Sequence, residues 1–222
     1  MTVLVQLVDT LGAGRVVWRF DPLILTDRIT PETLLQKIER IGNQLNGYAE
    51  KLVFSFADIA LYKKVKANLE RNRVNYSEWT VEQMDQFARQ LSELNKRWGY
   101  QLATCGEKID IEQYGIRHNR CVDDDLMIRF AHHDKALMDF LGVEITEGDL
   151  FDPKPTIIKH RDNRDKGQRQ FCGCIMSKDI GEYNTCPHQC EYCYANTSKE
   201  AALRNFARTR ETGWKSETIT GR

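Results

Sequence analysis

KLVFSFAD, Lys51 to Asp58, decides how this chain folds. Leu52, Val53, Phe54 and Phe56 leave no polar face along the run, as in a strand covered by helices rather than one facing water. Helices flank it on both sides. Upstream, Thr30 followed by Pro31 is a helix start, an N-cap and then a proline where no N–H is needed. Leu34, Leu35, Ile38, Ile41 and Leu45 continue that helix, and Gly47 stops it. Downstream, LYKKVKANLERN reads as a short helix.

The same alternation extends in both directions. VLVQLVDTLG reads as a helix with Leu4, Leu7, Val8 and Leu11 on one face. VVWRFDP, Val16 to Pro22, is β-branched and aromatic, hence a strand. Thr80 and Gln83 form a capping box that opens a long helix with Met84, Phe87, Ala88, Leu91, Leu94 and Trp98 inward. Gly99 ends it, and YQLATC runs as a strand into Cys105. DDLMIRFA and DKALMDFLG are two further short helices. Strands joined by helices pair in parallel. The expected class is α/β, an incomplete (β/α) TIM-like barrel, with a doubly wound sheet as the alternative. DPKP, Asp152 to Pro155, reads as a linker. It divides a partial barrel, residues 1–151, from a cysteine-rich, loop-dominated segment, residues 152–222.

Composition narrows the class of function. The chain has 222 residues, 41% apolar and 29% charged, the balance of a globular protein. No run approaches the roughly 18 apolar residues of a membrane span, and the start lacks the basic leader of a secretory signal. A cytoplasmic protein is expected. Net charge is zero, which argues against coating nucleic acid by bulk attraction. Residues 154–222 hold 13 Lys/Arg against 8 Asp/Glu, so the cysteine-rich end is basic and the remainder acidic.

In a reducing compartment, clustered cysteines point to metal or redox chemistry rather than structural disulfides. CPHQCEYCYAN, Cys186 to Asn196, places Cys186, Cys190 and Cys193 in a C-x3-C-x2-C pattern. Thiolates are soft ligands that select zinc, copper(I) or iron–sulfur clusters. Zinc sites combine one C-x2-4-C pair with a second, similar pair. Three cysteines in one tight loop instead suit three corners of a 4Fe–4S cluster, leaving one iron for a non-protein ligand. Cys105, Cys121, Cys172 and Cys174 remain, the number that a second, closed cluster requires. The alternative is that Cys105 and Cys121 are inert core thiols, with Cys172 and Cys174 joining the main site or binding zinc.

The motif with Tyr192 before its last cysteine resembles that of radical S-adenosylmethionine enzymes. That resemblance implies a 4Fe–4S cluster on Cys186, Cys190 and Cys193, with S-adenosylmethionine on the open iron and Tyr192 beside its adenine. Over a longer span, WRFDP, LVFSFAD with YKKVKANL, DKGQRQFCGC and SKDIGEYNTC joined to CEYCYAN resemble the uncharacterised DUF1848 family. Its members are similar to TIM-barrel-like proteins with a C-terminal cluster of the radical S-adenosylmethionine kind. The chain looks like the C-terminal part of such a protein, its early strands supplied by a missing N-terminal segment or a separate chain. The implied function is an enzyme with an unidentified substrate. The alternative is a non-catalytic iron–sulfur or zinc module for electron transfer, docking a partner or a nucleic acid.

Other residues carry less. Arg19 and Asp21, Ser55 and Asp58, and Cys105 fall at the carboxyl ends of the three strands, where parallel folds place their chemistry. Arg19 with Asp21 also reads as a structural ion pair. His188 reads as solvent-facing. Lys166 and Arg169 would suit an anion or simple solvation equally well. SKEAALRNFARTR, Ser198 to Arg210, reads as a capped basic helix with Ala202, Leu203 and Phe206 inward, packing the cysteine loop.

Overall fold

The computed structural model describes residues 3–146, 148, 154–213, 215 and 217–220. In chain order the elements are α1 (Val3–Leu11), β1 (Trp18–Leu23), β2 (Leu25–Thr26), α2 (Pro31–Leu45), β3 (Lys51–Phe56), α3 (Lys63–Arg71), β4 (Tyr76–Ser77) and α4 (Val81–Asn95). Then come β5 (Gln101–Thr104), a 3-10 turn (Glu112–Tyr114), β6 (Arg117–His118), α5 (Asp124–Ala131), α6 (Lys135–Leu141), β7 (Val143–Thr146), β8 (Thr156–Lys159) and α7 (Lys199–Glu211). The protein is a mixed α/β fold. It divides into two compact units, each built from three stretches of chain. The expected boundary between residues 151 and 152 lies outside the described residues, as does part of the DPKP linker.

The first unit comprises residues 1–23, 32–56 and 81–177. Its main sheet runs β1-β3-β5-β6, with every neighbouring pair parallel. The stretch that decided the sequence reading lies centrally. Leu52, Val53 and Phe54 of β3 are fully buried. A strand covered on both faces needs apolar side chains at successive positions, and these supply them. Helix α2 buries Leu34, Ile38 and Leu45, and α4 buries Phe87, Ala88 and Leu91. The rings of Phe54, Phe56 and Phe87 meet edge-on or tilted, with centroids 5.7–6.2 Å apart. Gly42 of α2 is needed for packing, because a Cβ there would lie 2.7 Å from the Trp98 ring.

Three expectations needed correction. The parallel rule holds for the main sheet only: β7 and β8 pair antiparallel, as do β2 and β4. In α1 the buried residues are Val5 and Val8, while Leu7 and Leu11 are exposed. That helix is apolar nearly all round, so its pattern does not fix one face. In α7, Ala202 is buried as expected but Leu203 is exposed.

The second unit comprises residues 24–31, 57–80 and 178–222. It has a small core of Ala57, Ile59, Val65 and Leu69, with Ile24, Tyr62, Val74, Tyr76 and Tyr192 packed against it. Ser198 caps α7 by accepting the Ala201 N–H at 3.0 Å. Among the described residues, no helix is long and apolar enough to cross a membrane.

Candidate functional site

All seven cysteines are free thiols. Cys186, Cys190 and Cys193 belong to the second unit, in a loop without regular secondary structure. Side-chain amides close the base of that loop. Asn184 N–H donates to Ala195 O at 3.3 Å. The Asn184 side-chain oxygen accepts from both the backbone N–H and the hydroxyl of Thr197. Asn196 Nδ2 donates to Cys186 O at 2.9 Å. Helix α7 holds the same base, through Asn205 Nδ2 donating to Asn184 O at 2.9 Å. Helix α3 holds the far side. Asn68 Nδ2 donates to Glu191 O, and Asn72 Nδ2 reaches the Glu191 carboxylate at 2.7 Å. Lys199 completes the clamp by pairing with Glu191.

The loop is thus fixed at its ends and at Glu191, while its thiols stay accessible. Cys186 and Cys190 are exposed and Cys193 is half-buried. Gln189, just before Cys190, has φ 56, a left-handed turn within the motif. Three soft, free thiols thus stand within eight residues of a pinned loop, two of them open to solvent, and their sulfurs are not drawn within 4.8 Å of one another. Tyr192 packs against the core of its unit, with its ring 6.3 Å from that of Tyr62. Burial, aided by the neighbouring Tyr62, Asp58 and Glu78, pushes its phenol up to about 12. His188 is exposed.

The other four cysteines lie in the first unit, and they converge. Cys105 directly follows β5, and its N–H extends the ladder by donating to Phe54 O at 3.0 Å. Asn119, just past β6, donates to Thr104 O at 2.7 Å. These bonds set Cys105 and Cys121 at the carboxyl edge of the parallel sheet, with their sulfurs 3.4 Å apart. Cys172 and Cys174 arrive on a return of chain closed by the Arg164–Ile175 bridge. Asp165 N–H donates to Cys174 O at 2.9 Å, and Ile175 N–H to Val122 O at 3.2 Å. Cys174 Sγ then accepts the backbone N–H groups of Cys121 and Val122, at 3.1 and 3.5 Å. The Cys174 thiol thus lies beside the backbone of Cys121.

Charge is placed deliberately here. Arg19, on β1, forms its ion pair with Asp21 at 2.5 Å and also donates to Cys121 Sγ at 2.9 Å. The bond from Cys105, joined by Arg19, holds the Cys121 thiol well below its usual range. The same shared bond and burial push Cys105 up. Burial raises Cys174 as well. The role of Arg19 toward a thiol could not be read from the sequence, because its partner lies 102 residues away. Arg169 lies against this group too: a Cβ on Gly106 would come 3.0 Å from its guanidinium carbon.

A cavity of about 320 Å³ opens beside Cys172, lined by His118, Arg120, Lys159, Arg164 and Phe171 among others. Asp123, Asp124 and Asp125 bring their carboxylates together nearby. Lys51 pairs with Asp123, and Arg120 and Lys159 pair with Asp124. That acidic group is therefore already neutralised by protein cations.

The model of the family described as domain of unknown function, DUF1848, matches residues 1–195. The chain belongs to the DUF1848 family. Neither a curated protein nor a solved structure matches it. The match to DUF1848 takes in all seven cysteines.

Proposed function

We propose that this DUF1848 protein is a cytoplasmic iron–sulfur enzyme of the radical S-adenosylmethionine kind, its 4Fe–4S cluster held by Cys186, Cys190 and Cys193. The observation that carries the proposal is the loop itself: three free, accessible thiols between two asparagine-tied ends. Such a cluster, when bound, supplies an electron to the sulfonium of S-adenosylmethionine through its protein-free iron. The chain's own part is to hold three thiolates, to keep the fourth position open and to exclude water around the substrate. The unbroken parallel order β1-β3-β5-β6 supports the further reading that the sheet is part of a TIM-like barrel, since a doubly wound sheet reverses its order at a switch point.

A second reading is an electron-transfer or zinc module. The packing of Tyr192 favours it, because that ring is occupied with the core of its own unit rather than presented to a ligand. Anaerobic reconstitution with iron and sulfide separates the two. The enzyme reading expects a brown protein whose spectrum changes on adding S-adenosylmethionine and which yields 5′-deoxyadenosine after reduction. A reconstituted cluster that ignores S-adenosylmethionine overturns that reading in favour of the module.

A further inference from the structure

We infer that Cys105, Cys121, Cys172 and Cys174 form a second metal-binding site, a four-thiolate site for an iron–sulfur cluster. It goes beyond the reading of the loop and does not depend on it. Three separate segments bring these thiols together: the end of β5, the stretch after β6, and the return carrying Cys-Gly-Cys. Inert core cysteines sit among apolar side chains. Cys121 and Cys174 sit among donors instead. Cys174 Sγ takes two backbone N–H groups, and Cys121 Sγ takes Arg19 at 2.9 Å and Asn119 Nδ2 at 3.5 Å. Donors aimed at sulfur favour the thiolate, the form that ligates metal.

Distances favour a metal over a disulfide. The Cys105–Cys121 separation of 3.4 Å is well beyond the roughly 2.05 Å of a sulfur–sulfur bond. Among the described residues no three of the four sulfurs lie within 4.8 Å of one another, wider than a single-ion tetrahedron built on metal–sulfur distances of about 2.3 Å, so the thiols suit the several irons of a cluster. Four thiolates around a dication leave two negative charges, and Arg19 and Arg169 are placed to offset them. Asn119 Oδ1 is buried without a hydrogen-bond partner among the described residues, next to the same sulfurs. Gly173, between two of the thiols, is crowded: a Cβ there would meet Arg120 Cγ at 2.9 Å. The cavity beside Cys172 offers an entry path.

The test removes the loop thiols first. Full-length protein carrying Cys186→Ala, Cys190→Ala and Cys193→Ala is purified anaerobically, and its zinc, iron and acid-labile sulfide are measured. The expected result is iron with matching acid-labile sulfide, at least about two of each per chain; zinc, or iron without sulfide, overturns the cluster. Adding Cys174→Ser or Cys121→Ser should lower the bound metal at least about tenfold. Because those variants could fail to fold, the four native thiols are also probed directly. Chelator-stripped triple variant, given iron and sulfide anaerobically, should develop a thiolate-to-iron charge-transfer band and lose its reactivity toward a thiol reagent. Metal-free triple variant that shows no such band overturns the inference, as does metal content unchanged by both serine substitutions. Failure of the loop reading would leave these results untouched.

Discussion

Cys174 and Cys190 have opposite surroundings in the same chain. Cys174 is buried and accepts two backbone N–H groups, of Cys121 and Val122. Cys190 is exposed, on a loop whose order comes from asparagines rather than from its thiols. The first arrangement is pre-organised: sheet ladders and a closed return of chain fix the sulfurs before any ligand arrives. The second fixes only the ends of the loop and leaves the sulfurs to be gathered by what they bind. A site that must keep one coordination position open for another molecule needs solvent access, whereas a closed site needs burial and charge compensation. The difference therefore predicts distinct responses to mutation.

The largest effect on stability is expected where the pre-organised unit buries charge. Asp124 is 1% exposed and pairs with Arg120 at 2.5 Å and with Lys159. Asp124→Asn removes the charge and turns amide hydrogens toward two cations. The partners are themselves partly exposed and can rehydrate, so the loss should be about 2–3 kcal/mol, read from urea midpoints. Burial alone would raise the Asp124 carboxyl, but the bonds from Lys159 and Arg120 outweigh it and hold it below its ordinary range. A carboxyl held down in the folded state stabilises the protein above its unfolded pKa, about 3.9, and loses that contribution as pH falls through the lower folded value. The native protein should weaken below about pH 4, and the asparagine variant should show a flatter profile there. Equal slopes would mean that Asp124 is not the group responsible.

A smaller effect is expected at the base of the loop. Asn184 has φ 60, and its side-chain oxygen accepts twice from Thr197. Asn184→Ala loses both bonds and puts a Cβ in left-handed backbone without the local compensation that asparagine has. About 1.5–2 kcal/mol should be lost. Asn184→Gly relieves the backbone part and should recover some of that loss. Limited proteolysis within residues 184–197 would report it locally. If glycine is no better than alanine, the left-handed backbone is not what asparagine supplies at this position.

What could be read in advance follows the same division. β1, β3, β5 and the helices between them were legible because their burial imposes continuous apolar runs or a helical period, as Leu52 to Phe54 and Leu34 to Leu45 show. β6 was not, because Arg117 and His118 are both exposed and the strand is two residues long. β7 and β8 are half-exposed and pair with each other antiparallel, outside the helix–strand rhythm that organised the reading. The three-thiol loop was legible because its ligands are adjacent in sequence. The four-thiol group could only be counted, since its members lie on separate segments and no local pattern states that Cys105 and Cys121 meet. Arg19 read as the partner of Asp21, which it is, and its second contact needed the fold.

The smallest effect sharpens the comparison most. In metal-free protein, Cys190→Ser changes an exposed side chain that takes no part in closing the loop. Its stability should stay within about 0.5 kcal/mol of the parent, as for an ordinary surface position. Cys174→Ser, under the same metal-free conditions, replaces a buried sulfur with a smaller oxygen that sits too far from the Cys121 and Val122 N–H groups for good bonds. A loss of about 1 kcal/mol is expected. Urea unfolding of both variants after chelation measures the pair. If Cys190→Ser costs as much as Cys174→Ser, the loop thiols contribute to a packed structure of their own, and the contrast between a gathered site and a prebuilt one fails. If the two differ as expected without metal, then after iron and sulfide are added Cys190→Ser should cost the loop cluster as fully as Cys174→Ser costs the four-thiol one. A thiol that matters little to the fold would then matter as much to what the fold holds as one that is built into it.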